Sequence, residues 1–458
     1  MKLKSLALAV ATLASAPAFA DNAAYFTGAS AIRANVAAAV KSLCTDAGGS
    51  LTVYKQGAST SSLANQMAYV CSAPMAGSAT TTVFHTTTGG SLNSILGMSD
   101  DVAKQQVPVS LAGCTAPVAG TGSLAGYTVR ANCALGTATA SDGGFSDVEY
   151  QPVREQVDIL TASVDGFSID DVTAGFTGVA QVFGLAVSEK MYKDLQTAQK
   201  AQGLISSACA LGDATPVCQP SINRADLVTA INNNEFNTAK LSGAAVFGLP
   251  FAPIEYARRP ATSGTQSSLE ILALGKGCLT GPNFGVMQVI GDDIATGASN
   301  AYSMLTVSVN SGTSDVTNRL NAAGNSAYAF GWVSGENRAP ATTTGWKFVK
   351  LNDAWFSEGT ATAMNKQRAI DGKYEYFVEA VSYKGPASKT DADEAAMLDA
   401  IAGKMATVVA NDGPATVGLF IIAENAAGYD NATYPTEVSS FQRGGSTPNS
   451  CQPVARPF

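Results

Sequence analysis

The sequence predicts an α/β sandwich with mixed sheets, and three observations predict it. Short apolar strand patterns alternate with segments of helical periodicity along most of the chain. The arrangement of strand, Gly/hydroxyl turn and helix start recurs, at Ala24-Tyr25-Phe26, at Thr81-Thr82-Val83-Phe84 and at Glu255-Tyr256-Ala257. The 458 residues are also enough for two domains and a large core.

The elements follow in order. Lys2 and Lys4 precede an apolar run, Leu6 to Leu13, and Ala18-Phe19-Ala20 supplies small residues before Asp21. Residues 1–20 therefore read as a secretory signal peptide, and the protein is expected in the periplasm or outside the cell. No cysteine follows the cleavage point, which argues against a lipid anchor, and no later apolar run is long enough to span a bilayer. After the first strand, Thr27-Gly28-Ala29-Ser30 turns the chain. Ile32, Val36, Val40 and Leu43 then give one face of a helix with Ser30 placed as its N-cap. Leu51 to Tyr54, Met67 to Cys71 and Thr81 to Phe84 are short strand segments. His85-Thr86-Thr87-Thr88-Gly89-Gly90-Ser91 follows and enters a helix at Leu92 to Leu96. Residues 100–143 read as an irregular Ala/Gly/Thr-rich excursion, and Gly143 to Glu149 as a turn that carries Ser146-Asp147.

Gly178 to Val187 is a buried-strand pattern and Ser188 to Lys200 a helix. Cys209 to Gln219 forms a small loop, and Asn223 to Ile231 is a helix capped by Ser221 or Asn223. Met287 to Ile290, Tyr328 to Val333, Tyr374 to Ala380 and Val417 to Ala423 read as strands. Glu394 to Val408 is a helix whose Met397, Ile401 and Met405 share a core-facing side. The chain carries no repeats and no long linker.

Charge and cysteines narrow the class. Loss of the signal peptide removes two of 28 basic residues, so the mature formal charge is 26 − 36 = −10. Such a chain is a poor nucleic-acid binder and needs a local positive site for any anion. Eight cysteines in an exported chain suggest disulfides. Sequence alone fixes no connectivity. The most local pairing is Cys44 with Cys71, Cys114 with Cys133 and Cys209 with Cys218, leaving Cys278 with Cys451 as a long-range staple. With a single histidine and no Cys-x-x-Cys, a zinc site is not expected.

The densest chemistry lies at Arg259-Pro260-Ala261-Thr262-Ser263-Gly264-Thr265-Gln266, with Arg258 just before it. A guanidinium offers a planar fork suited to a tetrahedral oxyanion. Ser263 and Thr265 add hydroxyls, Gly264 allows close backbone approach, and the helix that follows turns free N–H groups toward an anion. Taken alone, the octapeptide reads more readily as a Pro/Gly/Thr loop with an ordinary cap than as an anion site.

Thr27-Gly28-Ala29-Ser30-Ala31, Thr87-Thr88-Gly89-Gly90, Ser146-Asp147 and Arg259-x-x-x-Ser263-Gly264-Thr265 stand in fixed order. Together they resemble the periplasmic phosphate-binding proteins of ABC importers, a family with the type 2 periplasmic-binding fold. The resemblance implies two lobes with hinge crossings near residues 175 and 335. These divide the chain into residues 21–175 and 336–458 for the first lobe and 176–335 for the second. It also implies an exported solute-binding protein that captures phosphate or a similar oxyanion between the lobes for an ABC permease, with no cofactor and no catalysis. Arg259 would clamp the anion, and Ser263, Gly264 and Thr265 would donate to it. Thr88, or its neighbour Thr87, would donate from the second turn. Asp147 would accept the proton of a protonated oxygen and so favour phosphate over sulfate. The family's Thr-Phe pair is Ile32-Arg33 here, a glycine is replaced by Ser30, which could supply the missing hydroxyl, and an Asp inside the arginine motif is Ala261.

Two other functions fit parts of the sequence. A secreted surface or extracellular-matrix protein that keeps the fold without transport accords with the low charge, the Thr/Ser/Ala/Gly-rich composition and the cysteines. A Ser-His-Asp hydrolase would have to use His85, and no Gly-x-Ser-x-Gly elbow occurs.

Overall fold

The computed structural model describes residues 22–150, 166–232, 243–278, 289–337, 339–340, 345–355, 366–417, 420–443 and 449–456. The expected signal peptide and residues Met287 and Gln288 of an expected strand lie outside them.

In chain order the first half comprises β1 (Ala23–Gly28), α1 (Arg33–Asp46), β2 (Leu51–Lys55), β3 (Gln66–Cys71), β4 (Thr82–Thr86), α2 (Asn93–Leu96), β5 (Val118–Ala119), β6 (Thr128–Arg130) and β7 (Gly143–Ser146). Then come β8 (Thr173–Ser188), α3 (Glu189–Ala201), β9 (Ser221–Ile222), α4 (Arg224–Ile231), β10 (Ile254–Arg258), α5 (Gly264–Leu269), β11 (Ser299–Tyr302), β12 (Leu305–Val309), α6 (Thr313–Ala323) and β13 (Tyr328–Ser334). The last part holds β14 (Trp346–Phe348), β15 (Lys350–Leu351), α7 (Gln367–Ile370), β16 (Phe377–Lys384), α8 (Ala392–Val417), β17 (Phe420–Ala423), β18 (Val438–Ser439), β19 (Gln442–Arg443) and β20 (Val454–Ala455).

The fold is mixed α/β, as the sequence predicts. One sheet runs in the order β11-β12-β10-β13-β8-β16-β7-β1-β4-β3-β2-β6-β5, with parallel and antiparallel neighbours. The sixteen-residue β8 joins its two halves. Phe183–Val187 pair with β13, whereas Thr173–Val182 pair with β16. Two cores follow this division. In the first lobe, α1 and α8 cover β1, β3 and β4, and Met397, Ile401 and Met405 are buried there. In the second, β10, β12 and β13 pack with Leu185, Val187, Trp346 and Phe348. Tyr374, Tyr376 and Phe377 also belong to the second core, whereas Ala380 belongs to the first. Among the described residues no helix is long and apolar enough to cross a membrane.

Four elements differ from their sequence reading. Gly143 to Ser146 is not a turn but a central strand between β1 and β16. Its glycines serve close approach: a Cβ on Gly144 would lie 2.1 Å from Thr27 O, and one on Gly143 would lie 2.4 Å from Tyr383 O. Ser30 does not cap α1; Ile32 takes the cap position with no side-chain bond, and Ser30 only lends its carbonyl to the Arg33 N–H at 3.3 Å. The strand expected at Tyr374 to Ala380 lies at Phe377–Lys384, because Tyr374 and Tyr376 turn into the second core. Of the strand expected at Val417 to Ala423, Val417 belongs to α8 and Phe420–Ala423 form β17, while Gly418 and Leu419 lie outside the described residues.

All four expected disulfides are present: Cys44–Cys71, Cys114–Cys133, Cys209–Cys218 and Cys278–Cys451.

Beside β7, Asp142 accepts the Tyr25 N–H at 2.7 Å. Burial pushes its carboxyl up to about 8, against the pull of that hydrogen bond, with Glu394 and Asp391 adding to the rise. The folded state thus holds this proton more tightly than the unfolded chain. The stability it contributes is complete below pH 3.8 and is lost as pH rises through about 8. Urea midpoints of the native protein are expected to fall between about pH 5 and about pH 8, and Asp142→Asn is expected to flatten that decline. An unchanged slope in the variant would assign the decline elsewhere.

Candidate functional site

The ends of β1, β4, β7 and β10 converge on one seam between the lobes. Gly28 closes β1 with φ +137°, and a Cβ there would stand 1.8 Å from Phe145 O. Only glycine allows this contact, which sets the first turn against β7. Thr27 Oγ1 donates to Asn93 O at 2.6 Å and fixes α2 above it. Past β7, Ser146 Oγ donates to Val148 O at 2.6 Å and holds the bend that buries Asp147.

Asp147 Oδ1 accepts a hydrogen bond from Ser91 Oγ, and Ser91 Oγ accepts the Gly264 N–H at 3.0 Å. A Cβ on Gly264 would fall 1.7 Å from Asp147 Oδ1, so the position tolerates only glycine. Burial raises the Asp147 pKa, opposed by the Ser91 hydroxyl, its own backbone and the Arg259 charge. Arg259 is 4% exposed. Its backbone N–H reaches Gln266 Oε1 at 3.3 Å, and its Nη1 donates to Thr313 Oγ1 at 3.0 Å, while its buried Nε has no partner. Burial lowers its pKa to about 10, with Asp147, Asp315 and Glu336 opposing, so it remains a cation at neutral pH. Arg259 and Asp147 feel each other's charge but form no ion pair. Ser263 and Thr265 are buried beside them, at the start of α5.

The structure brings Asp147, Arg259, Ser263, Gly264 and Thr265 together. It does not bring Thr88: that side chain is exposed and its Oγ1 accepts from Gln66 Nε2 at 2.7 Å. Thr87 is buried but turned to Asn65, bonding its Oδ1 at 3.3 Å. Ser30 stays in the turn after β1, half-buried. Ser91 stands where a threonine of the second turn was expected. The signal for it was a hydroxyl just after Gly89-Gly90, on the helix side of the glycine pair.

Two further residues were not foreseen. Thr313 opens α6 and steadies Arg259, the role that Ala261 cannot fill. Glu336 follows β13 and accepts from Ser334 Oγ at 2.7 Å, Asn337 Nδ2 at 3.1 Å and Gln181 Nε2 of β8 at 3.1 Å. Burial pushes its carboxyl up to about 7, Asp147 adds to the rise and Arg33 opposes it. Arg33 turns inward, with Nη1 on Asn65 Oδ1 at 2.8 Å and its pKa lowered by burial. The seam thus joins two guanidiniums, Arg33 and Arg259, with two carboxylates, Asp147 and Glu336.

Arg258 points the other way. It is buried with Glu270 at 3.4 Å and Asp292 at 2.6 Å, and Lys276 closes the network on the same two carboxylates. His85 is buried edge-on to Phe145, and neither ring nitrogen has a partner among the described residues. Burial lowers its pKa to about 3, so the ring is neutral and is not joined to a serine or an aspartate.

No family model and no curated protein matches the chain. Solved structures do. A protein named as a phosphate ABC transporter substrate-binding protein, solved with bound phosphate, from Clostridium perfringens aligns at 9% identity over 85% of this chain and 98% of its own, with TM-score 0.42. An ABC-type phosphate transport receptor from Vibrio cholerae aligns at 13% identity over 53% of this chain and 72% of its own, with TM-score 0.30. PstS from Borrelia burgdorferi aligns at 9% identity over 86% of this chain and 98% of its own, with TM-score 0.34.

Proposed function

We propose that the chain is an exported solute-binding protein that holds phosphate or a similar small oxyanion between its lobes, for delivery to an ABC importer permease. The observation that carries this reading is the convergence of Arg259, Ser263, Gly264 and Thr265 from the second lobe with Asp147 from the first. In this reading Arg259 clamps the anion with its guanidinium. The Ser263 and Thr265 hydroxyls and the start of α5 donate to the remaining oxygens, and Thr313 holds Arg259 in register. Asp147 accepts from a protonated oxygen. Four charged groups that nearly cancel let binding rest on oriented donors rather than on net charge. The lobe crossings fall, in this proposal, within β8 near Val182 and at the start of β16 near Phe377, rather than near residues 175 and 335. Support comes from the change of sheet partners along β8 and from the split of the two cores at Phe377 and Ala380.

The test is isothermal titration of the anion-stripped protein with phosphate, sulfate and arsenate. Wild type is expected to prefer phosphate and arsenate over sulfate. Asp147→Asn, which cannot accept as a charged group, is expected to narrow that preference on the order of tenfold. Equal ratios in both proteins would remove Asp147 from the role.

A second reading, a secreted surface or matrix protein that keeps the fold without transport, is favoured by the apolar cluster that spans the lobes. Leu92, Ile95 and Tyr150 share it with Ile271 and Leu272. Recovery of the native protein in the culture medium rather than the periplasm supports that reading.

A further inference from the structure

We propose that Ser91 is a built-in occupant of the cleft. Its hydroxyl takes the hydrogen bonds that the protonated oxygen of a small oxyanion would take, and so holds the two lobes together without solute. The inference rests on the oxyanion reading above for the chemistry of the oxygen it replaces.

The hydrogen-bond pattern comes first. A P–OH oxygen set between a carboxylate and a backbone amide donates one hydrogen bond and accepts another. Ser91 Oγ does both, donating to Asp147 Oδ1 and accepting the Gly264 N–H at 3.0 Å. Ser91, Asp147 and Gly264 are all buried, so bulk water does not compete for either bond. Asp147 and Ser91 belong to the first lobe and Gly264 to the second, so one hydroxyl bridges the seam.

The flanking chain continues the closure. The Leu92 N–H donates to Thr262 O at 3.3 Å. A Cβ on Gly90 would meet Thr262 O at 2.8 Å and Ser263 Cα at 3.0 Å, so the two turns are in backbone contact. Leu92, Ile95 and Leu96 then pack with Ile271 of the second lobe in one apolar cluster.

A covalent tie lies beside this seam. Cys278, just past the helix that α5 begins, is bonded to Cys451. The segment around Cys451 is anchored on the other side by the Ser450 N–H, which donates to Glu149 Oε2 at 3.1 Å, and at the crossing by Arg443, whose Nη1 donates to Gln452 O at 2.8 Å and whose Nε donates to Phe377 O at 2.9 Å. Opening the cleft must break the serine bridge, wet the shared apolar cluster and move a segment that a disulfide holds.

The experiment uses the full chain stripped of anions by unfolding, dialysis and refolding with its disulfides intact, and compares wild type, Ser91→Ala and Ser91→Ala with Cys278→Ser and Cys451→Ser. Small-angle scattering with and without millimolar phosphate reads lobe opening, amide exchange reads Gly264, and titration reads phosphate affinity. Wild type is expected to scatter identically with and without phosphate and to protect the Gly264 amide. Ser91→Ala is expected to speed exchange at Gly264 and to tighten phosphate binding, each on the order of tenfold. The triple variant is expected to widen without phosphate and to contract with it. An anion-free wild type that is wide and contracts on phosphate would overturn the inference, as would unchanged Gly264 exchange in Ser91→Ala. If no protein in the set binds phosphate while Ser91→Ala loses protection at Gly264, the oxyanion reading falls and the serine bridge stands. If Ser91→Ala does not fold, protection of Gly264 in anion-free wild type decides, and its absence overturns the inference.

Discussion

Arg258→Ala is expected to lower the unfolding free energy by about 3–5 kcal/mol, the cost of removing one partner from a buried ion network. The guanidinium is fully buried and bonds Ile290 O at 2.7 Å, the Arg259 carbonyl at 3.0 Å, Asp292 at 2.6 Å and Glu270 at 3.4 Å. Without it, Glu270 and Asp292 retain only Lys276 as a cation among the described residues, and the Glu270 carboxylate remains desolvated. The carbonyl of Ile290 also loses its donor. Urea denaturation followed by tryptophan fluorescence measures the loss. A variant as stable as wild type would mean that the network contributes nothing to the second lobe. The contrast with the next residue is the informative part, because the end of β10 sends Arg258 one way and Arg259, just past it, the other, and only Arg258 is satisfied by the protein itself.

That alternation explains how far the sequence was legible. Both arginines were visible in it, and the hydroxyls and glycine after Arg259 marked the anion-suited side. The partners of Arg258 come from positions 270, 290 and 292, and no local pattern announces their meeting. The same limit applies to Ser91, Thr313 and Glu336, which reach the seam only through the long-range pairing of the sheet. The helices and the buried strand β8 were legible because periodicity is local, and the disulfides because the most local pairing is the one the fold forms. Gly143-Gly144 misled in an instructive way. A glycine pair reads as a turn from sequence, but here the missing side chains let β7 lie against Thr27, Ser94 and Tyr383. Thr88 was misplaced for a related reason: the turn at Gly89 and Gly90, both with positive φ, carries it outward and delivers Ser91 inward.

Arg259→Ala is the complementary case. Among the described residues its Nε has no partner and its one side-chain bond is to Thr313 Oγ1, so little of the fold depends on it. Stability is expected to change by no more than about 1 kcal/mol. Oxyanion binding is expected to weaken by roughly a hundredfold or more, since a buried charge-assisted contact to a desolvated anion is worth about 2–5 kcal/mol. Its pKa of about 10 keeps the cation present across the neutral range, so the loss is not a protonation effect. The decisive measurement is therefore a phosphate titration of anion-stripped wild type and Arg259→Ala, with matched urea curves for both. One saturable site in wild type that vanishes in an equally stable variant is the predicted result. The same affinity in both proteins, or no phosphate binding by wild type, would contradict the assignment of this seam as an oxyanion site.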